Sequence, residues 1–242
     1  MIRVIGILGL LATAVLTMTA CGGGGGGVDD RSAAPQTEAS KKEIAAAPGT
    51  LPEQEAPLPA GEYETRAFEP AFYFTVGEGW KVYFPHLPDV LAIVQGTQGS
   101  WEVSFSTPKE VFDPSKPAEE VTIPAPETVD GWVAWLQEHP NLDAGEPVPA
   151  TVGGVSGAQL DVAVSRIPRD YPQDCPAPCV PGWRLSEPVT AFTFFSGDKG
   201  RIVVLDVEGE MVIVNAEAPE DEFEEFLPEA QKVLDTVEWG GR

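Results

Sequence analysis

The sequence predicts an α+β fold in which one antiparallel β-sheet of about six to eight strands is flanked by two helices. Short segments rich in aromatic and β-branched residues alternate with Gly-rich turns, as is typical of antiparallel strands. Apolar residues recur at helical spacing near residues 128–139 and again near 219–236. The chain has 242 residues, enough for one domain with a sizeable core.

The predicted strands lie on both sides of the first helix. Short connections between the last three favour tight hairpins, so these strands are expected at the centre of the sheet. A Gly153-Gly154 turn divides one longer segment into two strands. The predicted strand segments are 68–76, 80–84, 90–95, 101–107, 148–165, 189–196, 201–207 and 211–216.

The first predicted helix, 128–139, has tryptophans and aliphatic residues at helical spacing. Thr128 or Asp130 can cap its start, and Pro140 lies just past its end. Its tryptophans, Trp132 and Trp135, are expected to pack in the core, with a ligand platform as the alternative.

The second predicted helix, 219–236, has Pro219 at its first position, where proline is tolerated. Pro228 lies within the apolar pattern and should kink the helix or split it in two. Two proline-rich segments, 108–126 and 166–188, are predicted to be loops.

The N-terminal residues have the pattern of an export signal. Residues 1–20 carry one positive charge at Arg3, an apolar run and then small residues, which together predict a signal peptide. The sequence Met18-Thr19-Ala20-Cys21 resembles the lipobox of bacterial lipoproteins, and this resemblance implies lipidation of Cys21. We therefore expect a lipid-anchored protein on the extracytoplasmic face of the cell membrane.

The remaining chain divides into two parts. Residues 21–65 begin with six glycines, are poor in apolar residues and show no period, so they predict a disordered tether. Residues 66–242 are predicted to form a single globular α+β domain. The formal net charge of -23 disfavours nucleic acid as a partner.

Two cysteines remain besides Cys21. Cys175 and Cys179 are separated by three residues, and in an exported protein this pair predicts a small-loop disulfide. A zinc site is the alternative. A structural zinc needs four nitrogen or sulfur ligands, and besides this cysteine pair the chain offers only His86 and His139.

No motif of the sequence predicts catalysis or a cofactor. The serine elbow, P-loop, dinucleotide-binding, zinc-protease and EF-hand patterns do not occur. His86 and His139 have no partner at motif spacing. A catalytic pair of carboxylates stays an open alternative, because acidic residues are so frequent in this chain that their positions carry little information. We predict no catalytic, cofactor or metal residues.

The order of elements, together with the segments VPATVGGVSGAQLDV and EFEEFLPEAQKVLDTVEW, resembles small actinobacterial envelope lipoproteins. The core is also similar to PsbP-like domains, in which helices flank an antiparallel sheet. The resemblance covers about residues 66–239 and implies a binding or assembly role in the envelope.

Two functions follow as hypotheses. The first is a lipid-anchored extracytoplasmic domain that binds an envelope protein or a small ligand without catalysis. The second is a small envelope hydrolase that uses carboxylate or histidine chemistry. An aromatic-lined groove favours the first, and a cleft with a carboxylate pair or a histidine–carboxylate contact favours the second.

Overall fold

A computed structural model describes residues 48–52, 55–84, 87–96, 100–116, 121–167, 178–187 and 189–240. The described residues form seventeen strands and two helices. The strands are β1 (Gly49–Thr50), β2 (Ala56–Pro57), β3 (Gly61–Glu64), β4 (Phe72–Val76), β5 (Lys81–Val82), β6 (Val90–Gln95), β7 (Trp101–Ser106), β8 (Glu110–Phe112), β9 (Thr122–Pro124), β10 (Leu142–Ala144), β11 (Val148–Val152), β12 (Val155–Val164), β13 (Cys179–Arg184), β14 (Ala191–Phe195), β15 (Asp198–Val207), β16 (Glu210–Pro219) and β17 (Glu238–Trp239). The helices are α1 (Val129–Glu138) and α2 (Phe223–Leu234).

The strands form three sheets. The main sheet has nine strands in the order β10-β12-β15-β16-β7-β6-β5-β2, with β11 also paired to β12. A small sheet has the order β1-β3-β4-β17, and a cover sheet has the order β14-β13-β8-β9. The β1–β3 pair is parallel, whereas the long β15–β16 hairpin at the centre of the main sheet is antiparallel.

The predicted α+β class is confirmed, but the prediction of a single sheet of six to eight strands is wrong. The cover sheet is what the sequence analysis missed, since β8, β9 and β13 lie in the two proline-rich segments predicted to be loops. In β13 the register shifts between Pro181 and Trp183, so a bulge accommodates the proline within a paired strand. Trp183 is buried, and its burial stabilises a strand that local propensity disfavours.

One face of the main sheet packs against α2 and the small sheet. Alternate residues of the strands point to this face, among them Phe105 of β7 and Val214 of β16. Phe223 and Phe226 of α2 and Phe72 of the small sheet are fully buried against them. This layer contains the larger of the two hydrophobic clusters in the described chain.

The opposite face of the main sheet packs against α1 and the cover sheet. Ile213 of β16 and Leu160 of β12 contribute from the main sheet. Trp132 of α1 and Trp183 of β13 meet edge to face above them, with ring centroids 5.6 Å apart. The second cluster therefore ties helix and cover sheet to the same face.

Helix α1 confirms the sequence prediction. Thr128 is its N-cap, and the Thr128 hydroxyl accepts a hydrogen bond from the Gly131 backbone N–H at 3.1 Å. The C-cap is His139, directly before Pro140. Trp132 is fully buried and Trp135 is half-buried beside it, so both tryptophans lie in or against the core.

Helix α2 is shorter than predicted, because Pro219 ends strand β16 instead of starting the helix. The helix runs through Pro228 without being divided. Phe226 and Ala230, on either side of this proline, are both buried in the core, and this packing stabilises the continuous helix.

The folded domain begins before residue 66. Leu51, Leu58 and Tyr63 are 2%, 3% and 6% exposed and belong to the core, although the sequence analysis placed them in the tether. The described residues all fall within one compact unit, Ala45–Arg242. The predicted signal peptide and Cys21 lie outside the described residues, so both stay predictions. No helix in the described part of the chain is long and apolar enough to cross a membrane.

Candidate functional site

A cavity of about 140 Å³ lies between the main sheet and the cover sheet. Its floor comes from β6, β7 and β16, and its walls come from β14 and the segments on either side. The described residues that line it are Tyr83, Phe84, Val90, Ala92, Glu102, Ser104, Ser106, Leu185, Val189, Ala191, Phe192, Thr193, Phe195 and Glu217.

The alternation of side chains along strand β7 places a row of three polar residues on the cavity floor. Val103 and Phe105 point to the α2 side of the sheet and are fully buried there. Since successive side chains of a strand alternate between faces, Glu102, Ser104 and Ser106 point to the other side. The two serines are 6% and 4% exposed, so the cover sheet closes over a row that would otherwise face water.

Glu217 of β16 lies directly opposite Glu102 of β7 in the main sheet. The two residues are register partners in the antiparallel β16–β7 pair. Directly opposite residues of such a pair are close enough to interact, and like charges in this position are destabilising. Both glutamates are partly buried, and no described Lys or Arg forms an ion pair with either.

The surroundings favour the protonated form of both carboxyls. Burial raises the pKa of Glu102 to about 7, against the effect of a hydrogen bond from Ser104. Burial also raises the pKa of Glu217 to about 8, with additional contributions from the charges of Glu102 and Asp198 and an opposing hydrogen bond from Asn215. Near neutral pH the two carboxyls therefore retain protons that exposed glutamates would have lost.

Strand β15 leaves room for this arrangement. Gly200 lies opposite Glu217 in the β15–β16 register. A Cβ at Gly200 would lie 2.6 Å from the Asn215 Oδ1 atom, so a larger residue would displace that side chain. Asn215 is 1% exposed, and its Nδ2 donates a hydrogen bond to Glu217 Oε2 at 3.1 Å. Asn215 thereby positions one carboxyl of the pair.

The cavity walls are aromatic and apolar. Phe192 of β14 stacks on Trp183 of β13, with ring centroids 4.1 Å apart and planes 8° from parallel. The rings of Tyr83 and Phe84 lie 4.2 Å apart on another side of the cavity. Leu185 adds an aliphatic surface from the segment that follows β13.

The rim beside Leu185 is anchored to the main sheet. The Ser186 backbone N–H donates to Asp89 Oδ2 at 2.8 Å, and Asp89 directly precedes β6. The Leu185 N–H donates to the Thr190 carbonyl at 2.9 Å, which closes the turn before β14. The end of the predicted loop 166–188 thus contributes to the cavity wall.

The residues singled out from the sequence do not converge on this cavity. His139 is the C-cap of α1 and is not among the described residues that line the cavity. It is 5% exposed, and burial lowers its pKa to about 4. Its Nδ1 accepts a hydrogen bond from the Asn141 N–H at 3.3 Å. His86 lies outside the described residues. No group of three or more potential metal ligands occurs among the described residues.

Only one cysteine of the predicted Cys175–Cys179 disulfide lies within the described residues. Cys179 begins β13 and is 2% exposed. Cys175 lies outside the described residues, so its pairing with Cys179 stays a prediction.

Sequence reasoning did not identify Glu102 and Glu217 as a pair. The segment 211–216 was predicted to end one residue before Glu217, although β16 continues to Pro219. In the predicted strand 101–107, the alternation set Glu102 apart from Val103 and Phe105. Nothing in the sequence indicates, however, that this polar face is covered, because the cover sheet itself is not predicted.

Comparison with known proteins gives little further information. No family model matches the chain, and no curated protein matches it. The solved structures to which the chain is similar include the following two. One is LpqN, involved in cell envelope biogenesis of Mycobacterium tuberculosis, at 16% identity and a TM-score of 0.30, covering 78% of this chain and 91% of that chain. The other is cyanobacterial PsbP (CyanoP) from Synechocystis sp. PCC 6803, at 10% identity and a TM-score of 0.41, covering 81% of this chain and 98% of that chain. At these TM-scores neither likeness supports a functional conclusion.

Proposed function

We propose that this protein is a lipid-anchored extracytoplasmic binding domain that holds a small ligand in the cavity between the main sheet and the cover sheet, without catalysis. The observation that carries the proposal is the cavity itself, with apolar walls and a polar floor that contains Glu102 and Glu217. Ligand sites are typically concave, mostly apolar and equipped with a few convergent polar groups.

The acid pair makes a purely structural role for this floor unfavourable. Two partly buried carboxyls lie opposite each other, and their deprotonation in the same apolar surroundings costs free energy. A hydrophobic pair at these positions would pack at no such cost. A ligand that interacts with the carboxyls offsets the cost, which supports a binding role.

The cellular location in this proposal rests on the sequence. The apolar run before Cys21 and the lipobox-like residues favour export and lipid attachment. A lipid anchor would keep the binding domain at the membrane surface, where it would meet envelope molecules.

A neutral aromatic probe tests the binding site. Benzyl alcohol added to the full chain in detergent should shift the amide resonances of β7 and β14 more than those of α1. The Ala191→Phe variant fills the cavity and should abolish these shifts, because Ala191 lines it. Ala134→Phe, at an exposed position of α1, is the matched control and should retain them. Shifts that persist in the filled variant would show that the cavity is not the site.

The hydrolase hypothesis keeps one supporting observation, the carboxylate pair. A pair that shares a proton can offer one acid and one base, as glycoside hydrolysis requires. Activity on a panel of p-nitrophenyl glycosides and esters tests it. A hydrolase should lose turnover in both Glu102→Gln and Glu217→Gln, whereas turnover that is absent or survives both changes would exclude this role for the pair.

A further inference from the structure

The charge inside the cavity is one-sided. Glu102 and Glu217 are the ionisable carboxyls of its lining, and none of the described lining residues is Lys, Arg or His. Asp198, on the neighbouring strand β15, adds a third acid whose charge acts on Glu217. Once the pair is ionised, an anionic group of a ligand would be repelled by the charge of this floor, whereas a cation would be attracted.

The hydrogen-bonding groups of the cavity floor also favour a ligand that donates hydrogen bonds. Ionised carboxyls accept hydrogen bonds only, and serine hydroxyls rotate to accept or donate. Ser104 and Ser106 lie in the same row as Glu102, more than nine-tenths buried. An ammonium group presents three donors to this row, and hydrogen bonds between ionised partners are the stronger kind.

The walls suit the remainder of such a ligand. Aromatic rings attract cations through their faces and also accept apolar groups. Four of the described lining residues are aromatic: Tyr83, Phe84, Phe192 and Phe195. The cavity volume of about 140 Å³ is close to that of cavities that hold a benzene-sized molecule. The apolar part of the ligand is therefore limited to a single ring or a short branched chain.

We infer that the ligand is a compact organic ammonium ion, with its charged nitrogen at the Glu102–Glu217 pair and its apolar group between β14 and the main sheet. This inference rests on the proposed function, and it adds the chemical class of the ligand.

Proton release would accompany binding. The pair consists of Glu102 from β7 and Glu217 from β16, and the further titratable group that acts on it is also acidic, Asp198 from β15. Burial holds the pKa of each of the three above its usual value. A cation lowers these pKa values by favouring the ionised forms, so its affinity should rise as the pH increases through about 7 to 8.

Titration calorimetry with three benzyl compounds tests the ligand class. Benzylamine, benzyl alcohol and benzoate share a ring and differ in charge. With the full chain in detergent at about pH 8, benzylamine should bind at least about tenfold more tightly than benzyl alcohol, and benzoate should not bind. Repeating the titration in buffers of different ionisation enthalpy should show proton release with benzylamine and none with benzyl alcohol.

Charge variants supply the controls. Glu217→Gln should reduce the preference for benzylamine to less than about threefold while benzyl alcohol still binds, because the ring pocket is unchanged. Glu138→Gln removes one charge at an exposed position of α1 and should keep the full preference.

The outcomes separate the two proposals. If benzyl alcohol and benzylamine bind equally well in the cavity, the ammonium inference is overturned and the binding function stands. If neither compound binds, both proposals are overturned. A benzylamine preference that survives Glu102→Gln and Glu217→Gln together would place the cation elsewhere and would also overturn the inference.

Discussion

Glu217 makes folding stability depend on pH. Its pKa is raised to about 8 in the folded chain, above the ordinary value of 4.5, so the folded state holds the proton more tightly than the unfolded state. Stability from this group is therefore complete below about pH 4.5 and falls as the pH rises toward 8.

Glu217→Gln should remove this dependence. At about pH 9 the variant should be more stable than the parent by roughly 2 kcal/mol, about half of what the full pKa shift would give, because the side chain is only partly buried. At about pH 4 the two should unfold alike. Urea denaturation at both pH values measures the difference, with Glu138→Gln as control. A variant less stable than the parent at high pH would contradict the pKa assignment.

His139 acts in the opposite direction. Burial lowers its pKa to about 4 from the ordinary 6.5, so its neutral form is favoured by folding. The corresponding stability is present above about pH 6.5 and is lost as the pH falls toward 4. Imidazole resonances followed by NMR should show His139 still neutral at about pH 5. A midpoint near 6.5 would show that the ring is hydrated.

At the scale of elements, β13 attaches the cover sheet to the second cluster. Trp183 is 1% exposed, stacks on Phe192 and meets Trp132 edge to face. Trp183→Ala should cost roughly 3–5 kcal/mol, because it opens a large cavity in a packed layer. Ile123→Ala, at a 38% exposed position of the same sheet, should cost less than about 1 kcal/mol. Chemical denaturation of both variants checks this, and equal losses would show that Trp183 is not an anchor.

The elements differ in how much of them the sequence predicts. Strand β6, the turn between β11 and β12, and helix α1 follow from local patterns, because periodicity, turn glycines and a cap agree there. The cover sheet does not follow, since its strands contain or adjoin prolines and are stabilised by contacts distant in sequence. One such contact is the pairing of Trp183 with Val111.

At the scale of the whole molecule, the site depends on those distant contacts. A strand pattern alone places Glu102 on one face of β7, but it does not say whether that face is covered. The pairing of Glu102 with Glu217 depends on the β7–β16 register, which joins residues more than a hundred positions apart. The composition does not single out the pair either, because a chain with 38 acidic residues offers many possible pairs of carboxyls.

The membrane attachment of the whole molecule has its own test. Cys21 should carry a diacylglycerol after cleavage behind Ala20, as the resemblance to a lipobox implies. Intact-mass analysis of the protein from the membrane fraction should show the lipid and a mature N-terminus at Cys21. Cys21→Ser should leave the protein unlipidated, and an unmodified Cys21 in the parent would contradict the anchor.

A crystal structure of the chain with benzylamine at saturating concentration tests the binding site most directly. The amine nitrogen should lie within hydrogen-bond distance of Glu102 and Glu217, with the ring between β14 and the main sheet. An occupied cavity in the parent and an empty one in Ala191→Phe would confirm that the ligand is held there. A cavity without benzylamine in the parent, or benzylamine bound elsewhere on the molecule, would contradict it.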